Sequence, residues 1–135
     1  LTQYGVTKRD HPEAFADGKV TAEEAKAIYS KKYLKGPGYD KIPASHANIQ
    51  AQLVDFGANS GPGVATQKLQ AVLGQEVDGV CGKDTIAALI AADPRDVGNK
   101  LAVERIKMLG RIIARNQSQA RFASGWLSRA CEFIS

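Results

Sequence analysis

VDFGANSGPGVATQKLQAVLGQEVDGVCGKDTIAA, residues Val54 to Ala88, is the stretch whose reading decides the fold. An apolar helical pattern enters it from Ile49 and Leu53 and ends at Phe56. Asp55 lies beside that stripe, and Asn59 follows four residues on, about one helical turn. A carboxylate and an amide aligned on the flank of a core helix fit the wall of a cleft. They fit equally an Asp55 that caps or ion-pairs a neighbouring element. Ser60-Gly61-Pro62-Gly63 then reads as a tight helix–helix connection. A short helix from Val64 to Leu73 should bury Ala65, Leu69, Val72 and Leu73, with Gly74 suited to the left-handed position past its end. Gln75 to Val80 reads as a small turn or hairpin-like loop, in which Asp78-Gly79 shapes a turn rather than contacting a ligand. Gly82-Lys83-Asp84-Thr85 opens the next helix.

Upstream, residues 1–20 look irregular, with turn formers at Gly5, Pro12 and Asp17-Gly18. Thr21 and Glu24 make a capping box, and Ala25, Ile28, Tyr29 and Tyr33 are expected to form the buried stripe of the helix that follows. Glu23 and Glu24 serve that helix start rather than catalysis. Gly36-Pro37-Gly38 ends it, and a second helix runs from about Pro43-Ala44-Ser45 to Asn59. Downstream of Gly82, Ile86, Leu89 and Ile90 should point inward before a stop ahead of Pro94. The longest helix is expected from Val97 or Asn99 to Arg115. Its apolar face is Leu101, Ile106, Leu109, Ile112 and Ile113, opposite Lys100, Lys107, Arg111 and Arg115. A terminal helix carries Trp126, Leu127, Cys131 and Ile134 at helical spacing. Six or so helices with little or no strand make the class mainly α.

A chain of 135 residues is long enough for one compact domain with a real core. No apolar run approaches the roughly 18–20 residues that span a membrane, so no membrane span is expected. No signal peptide is visible, and the absence of an initiator Met suggests a processed or trimmed product. The net charge of +4 is uneven: residues 95–135 carry eight basic and three acidic side chains, residues 1–94 ten and eleven. A basic C-terminal half fits a solvated helix face or an anionic polymer. Nucleic acid is not expected as a partner, since no recognition motif or interleaved exposed aromatics accompany the charge. Cys81 and Cys131, with His11 and His46, are too few and too far apart for a metal site; the two cysteines fit a disulfide in a protein acting outside the cytoplasm, and two buried free thiols are the reading preferred. No nucleophile elbow, phosphate loop, dinucleotide fingerprint or zinc-protease pair occurs, so no cofactor is expected. A carboxylate-lined cleft in a helical domain suits glycoside hydrolysis, which needs an acid in a partly apolar pocket. No Glu in the chain fits that role convincingly: Glu13 sits in a loop, and the others read as cap or surface residues.

Taken together the motifs resemble the bacterial and phage muramidases of glycoside hydrolase family 108. Leu1-Thr2-Gln3-Tyr4-Gly5-Val6-Thr7 is similar to that family's Gly-Gly-x-Thr-x-x-Gly-Ile-Thr segment, entered after its glycine pair. Thr21-Ala22-Glu23-Glu24-Ala25 with Ile28-Tyr29 and Tyr33 resembles its T-x-E-E-A helix, with Leu34 where Trp is usual. Asp55 to Gly61 fits a D-x-x-x-N-x-G turn. Leu69-Gln70, Val77 to Thr85 and Phe122 to Arg129 fit its peptidoglycan-binding half. The resemblance implies a lysozyme-like catalytic part over residues 1–61 and a peptidoglycan-binding-like helical part over 62–135, packed as one unit. It implies an N-acetylmuramidase that cleaves the glycan β-1,4 bond. Thr2 would help position water, and Tyr4, Asp55 and Asn59 would line the glycan cleft. The family's acid sits in a Glu-Gly-Gly-Tyr motif that would precede Leu1, so the chain on its own is expected to bind wall without cutting it. The implied partner is peptidoglycan glycan, met by a monomer in the periplasm or outside the cell after synthesis in the cytoplasm, as for an endolysin. Two other readings stand beside this one: a wall-binding module without hydrolysis, and a basic helical domain binding nucleic acid.

Overall fold

The computed structural model describes the backbone of Thr2–Gln3 and Val6–Thr7 and residues 21–135, the Gln119 side chain excepted. Thr2–Gln3 (β1) and Val6–Thr7 (β2) pair antiparallel, Thr2 opposite Thr7 and Gln3 opposite Val6. This short ladder lies inside a stretch whose sequence reads as irregular. Among the described residues there are six α-helices: α1 Ala22–Ser30, α2 Ala47–Ser60, α3 Pro62–Leu73, α4 Lys83–Ala91, α5 Pro94–Arg115 and α6 Ala123–Cys131. The mainly α, lysozyme-like class read from the sequence is the class observed.

At α1 both halves of the capping box form: Thr21 Oγ1 accepts from the Glu24 N–H at 3.2 Å, and Glu24 Oε1 accepts from the Thr21 N–H at 3.3 Å. The helix passes into a π-helical turn, Lys31–Lys35, which changes its register. The expected stripe does not survive whole. Ala25 is buried, Ile28 and Tyr33 are half-buried, and Tyr29 is 42% exposed, its ring centroid 5.0 Å from that of Tyr33. Gly38 ends the segment at φ +88, a conformation that side chains bearing a Cβ rarely adopt.

Ile49, Leu53 and Phe56 of α2 are fully buried, as their spacing requires. They meet Ala65 and Leu69 of α3, Leu89 of α4 and Leu101 of α5 in one core. Tyr39 joins it through its hydroxyl, 2.9 Å from the Pro62 carbonyl oxygen and 2.7 Å from Thr66 Oγ1. Burial pushes this phenol up to about 12. The α2–α3 connection is tighter than Ser60 to Gly63: Gly61 alone, at φ +94, ends one helix and caps the next. Pro62 takes the first helical position, where its fixed φ and missing N–H cost nothing, so α3 begins two residues before Val64. Gly74 closes α3 in the left-handed conformation at φ +70, as expected, with Val72 and Leu73 half-buried.

Several expectations need correction. In α4 a nine-residue helix meets the core with the Thr85–Leu89 line, leaving Ile86 half-buried and Ile90 exposed. Pro94 starts α5 rather than only stopping α4: Asp93 caps it, its Oδ2 accepting from the Asp96 N–H at 2.9 Å. The buried face of α5 is Val97, Gly98, Leu101, Ala102, Arg105 and Leu109, so Ile106 and Ile113 are half-buried and Ile112 is exposed. In α6 only Ala130 is fully buried. Trp126 and Leu127 are half-buried, and Cys131 and Ile134 are exposed. Both cysteines are free, but Cys81 alone is buried, and burial pushes its thiol pKa up.

Candidate functional site

The polar flank of α2 carries the first element of the site. Asp55 Oδ2 accepts from Arg105 Nη1 of α5 at 2.8 Å. Its other oxygen, Oδ1, accepts from Arg129 of α6 through Nε at 3.1 Å and through Nη2. The Asp55 side chain is 15% exposed, Arg105 2% and Arg129 53%. Asp55 makes the ion pairs that its spacing allows, and they tie three helices together. The Arg105 guanidinium also lies 5.0 Å over the Phe56 ring. The Asp55 carboxylate, by hydrogen bond and by charge, raises the Arg129 pKa. Tyr29, beside this cluster, has its pKa raised first by partial burial and then by the Asp55 charge.

Asn59 stands exposed one turn along, its Nδ2 donating to the Asp55 carbonyl oxygen at 3.2 Å. It edges a cavity of about 260 Å³ lined by Asn59, Ser60, Val64, Arg105, Met108, Leu109, Ile112 and Trp126. The floor is the middle of α5, one wall is the α2–α3 corner, and α6 supplies Trp126, whose ring stacks on Phe122 with centroids 5.5 Å apart. Arg105 is the one charged residue of this lining, and among the described residues its buried Nε has no hydrogen-bond partner. Among the described residues no three His, Cys, Asp or Glu side chains group as metal ligands, and no helix is long and apolar enough to cross a membrane.

A second polar knot joins α3 to the turn before α4 and to α4 itself. The buried Gln70 side chain accepts from the Asp78 and Gly79 N–H groups at 3.1 and 3.0 Å. Its Nε2 donates toward Asp78 Oδ1, the Val80 carbonyl oxygen and Thr85 Oγ1, at 2.8, 3.0 and 3.0 Å. Asp78 Oδ1 also accepts from the Val80 N–H at 2.9 Å, which with the Gln70 bond lowers the Asp78 pKa. Asp78-Gly79 therefore shapes a turn, with Gly79 at φ +78, and no strand forms there.

Of the residues singled out in the sequence, Asp55 and Asn59 come together at this corner. Thr2 is described only by its backbone pairing with Thr7, and Tyr4 lies outside the described residues. Sequence reasoning missed Arg105, though a signal was present: it falls four residues after Leu101 and four before Leu109, within the buried stripe. It also missed Arg129 as the clamp of α6, for which no local pattern speaks, since its partner is 74 residues away.

The Glycosyl hydrolase 108 family model matches residues 1–61, and the Predicted Peptidoglycan domain model matches residues 64–131. Among solved structures the chain is similar to SagA of Brucella abortus, with 29% identity and a TM-score of 0.73 over 96% of this chain and 67% of that one. No curated protein matches it.

Proposed function

The chain belongs to the glycosyl hydrolase 108 family and carries a peptidoglycan domain, and from that premise we propose how its parts share the work of a peptidoglycan hydrolase. Residues 1–61 form the lysozyme-like part that addresses the glycan β-1,4 bond, and residues 62–135 form the wall-binding part. Cleaving that bond needs a proton delivered to the glycosidic oxygen and a water held against an oxocarbenium-like sugar. Asp55 is not the proton donor, because both its oxygens are occupied by arginine N–H groups. It positions the α2 flank instead. No Glu-Gly-Gly-Tyr motif occurs in residues 1–135, so this stretch contributes binding and positioning rather than the acid. By the family resemblance Thr2 positions water, while Tyr4 and Asn59 hydrogen-bond sugar amides and hydroxyls. Such a protein meets its substrate at the wall, in the periplasm or outside the cell, as a monomer made in the cytoplasm.

The observation that carries the Asn59 assignment is its place at the cavity edge, exposed, with one amide hydrogen spent on its own helix and the rest of its capacity unused by that bond. Asn59→Ala in the natural protein should slow clearing of a peptidoglycan suspension at least ten-fold, while stability shifts by no more than about 0.5 kcal/mol. An unchanged clearing rate removes Asn59 from the site.

A further inference from the structure

We propose that the cavity between α2, α3, α5 and α6 is a pocket for a short acyl group of the wall polymer, with the methyl among its apolar residues and the oxygen on the Arg105 guanidinium. The inference rests on the peptidoglycan reading above. The volume, about 260 Å³, is several times the roughly 30 Å³ a water occupies, so this is a ligand-sized space rather than a packing gap. It suits a substituent and part of a sugar ring, and it is smaller than the ~300–1,000 Å³ of pockets that take drug-sized molecules.

The lining selects the chemistry. Val64, Met108, Leu109, Ile112 and Trp126 offer apolar surface. Asn59 and Ser60 add neutral polar groups at the helix corner. Arg105 is nearly fully buried, yet one side-chain hydrogen bond, Nη1 to Asp55, is all it makes among the described residues, and its buried Nε has no partner. Buried polar groups are nearly always paired, so a guanidinium that lines a cavity with donors beyond its one Asp55 bond favours an acceptor there. Charge points the same way. Arg105, the one charged residue of the lining, is cationic and shares the Asp55 carboxylate with Arg129. An acceptor oxygen is therefore favoured and a cation disfavoured. A hydrocarbon would leave Arg105 unmet, and a bare hydroxyl would leave the apolar wall unfilled. An acyl group satisfies both. The glycan offers it from two sources, the acetamido group of its amino sugars and the lactyl acid of muramic acid.

Trp126, the chain's one tryptophan, lines the pocket and reports on it directly. Its fluorescence is followed while the full chain is titrated with N-acetylglucosamine, N-acetylmuramic acid or glucosamine. A saturable change is expected with the acylated sugars and none with glucosamine. Equal response to both acylated sugars assigns the acetamido group, and response to the muramic sugar alone assigns the lactyl acid. Arg105→Lys should weaken binding at least ten-fold. Should that variant fail to fold by circular dichroism, Val64→Phe, which fills the space from the α3 side, should abolish the response on its own. No saturable change with either acylated sugar, an equal change with glucosamine, or an unaltered Kd in Val64→Phe overturns the proposal. Pulldown on insoluble wall, run beside the titration, separates two failures. A chain that binds wall but ignores acylated sugars loses the pocket alone, and one that does neither loses the peptidoglycan reading as well.

Discussion

Replacing Asp55 by Asn should cost far more stability than replacing Arg129 by Ala, although Arg129 gives Asp55 two of its three arginine N–H bonds. The asymmetry comes from burial. Asp55→Asn leaves the Arg105 guanidinium, 2% exposed, without its counter-charge. Breaking a buried pair from one side costs about 3–5 kcal/mol, because the surviving charge stays desolvated. Arg129→Ala removes a side chain that is 53% exposed and leaves Asp55 still paired with Arg105. Pairs of that exposure contribute roughly 0.2–1 kcal/mol. Against a total of about 5–15 kcal/mol, the first loss is severe and the second slight. For a chain of this size they correspond to melting temperatures lower by roughly 10–18 °C and 1–4 °C. Urea unfolding followed by far-ultraviolet circular dichroism, with the slope m unchanged, measures both. Equal losses, or an Asp55→Asn loss under about 1 kcal/mol, would refute the claim that Arg105 depends on Asp55. Asp55→Leu combined with Arg105→Met should recover most of the stability, since an apolar pair of similar volume carries no desolvation cost.

Gln70→Leu should destabilise by on the order of 3 kcal/mol, because the Asp78 and Gly79 N–H groups and Thr85 Oγ1 all lose a buried partner. Hydrogen exchange should show the Asp78 and Gly79 amides losing protection before the helices do. In α5, Gly110→Ala should stabilise by about 0.5–1 kcal/mol, since nothing lies within 4 Å of the added Cβ and helix propensity improves. Gly98→Ala in the same helix should destabilise instead. Its Cβ would meet Asn48 Nδ2 at 2.8 Å, and that amide is held by its bond to the Pro94 carbonyl oxygen. Thermal melts of the two variants with opposite signs are the check.

What the sequence made legible is what obeys local periodicity and local turn chemistry. The Thr21–Glu24 box, the Ile49–Leu53–Phe56 stripe and the left-handed Gly74 follow from neighbours within one turn. The errors share a cause too. Tyr29, Ile90 and Ile112 are apolar residues at helical spacing that the fold leaves exposed, because each helix meets the core along a narrower line than its apolar residues mark. Burial of polar side chains ran the other way. Arg105 is acceptable inside only because Asp55 is 50 residues away in sequence and beside it in space. His46 is buried because its Nε2 donates to the Ala92 carbonyl oxygen at 2.9 Å while Ser45 bonds its Nδ1. The site shows the same split. Asn59 was visible as a polar residue on a core-helix flank, whereas the cavity it borders is assembled from α2, α3, α5 and α6 and has no local signature.

The boundary near Gly61 separates two family matches, and a cut there should separate nothing that folds by itself. Ile49, Leu53 and Phe56 lie on one side of it, and Ala65, Leu69, Leu89 and Leu101, which they pack against, lie on the other. Removing the α2 side forfeits three fully buried side chains worth about 1.5–3 kcal/mol each, or roughly 5–9 kcal/mol in sum. That equals much of a domain's whole stability. The cut also strips Arg105 of Asp55, and Gly98 of the Gln52 Nε2 donor that its carbonyl oxygen accepts from at 3.0 Å. Residues 62–135 made alone should therefore keep helical far-ultraviolet signal yet show no cooperative thermal transition, with strong binding of a hydrophobic dye. A sharp melt from that piece would mean that residues 62–135 own a core of their own, and the shared-core argument would fall.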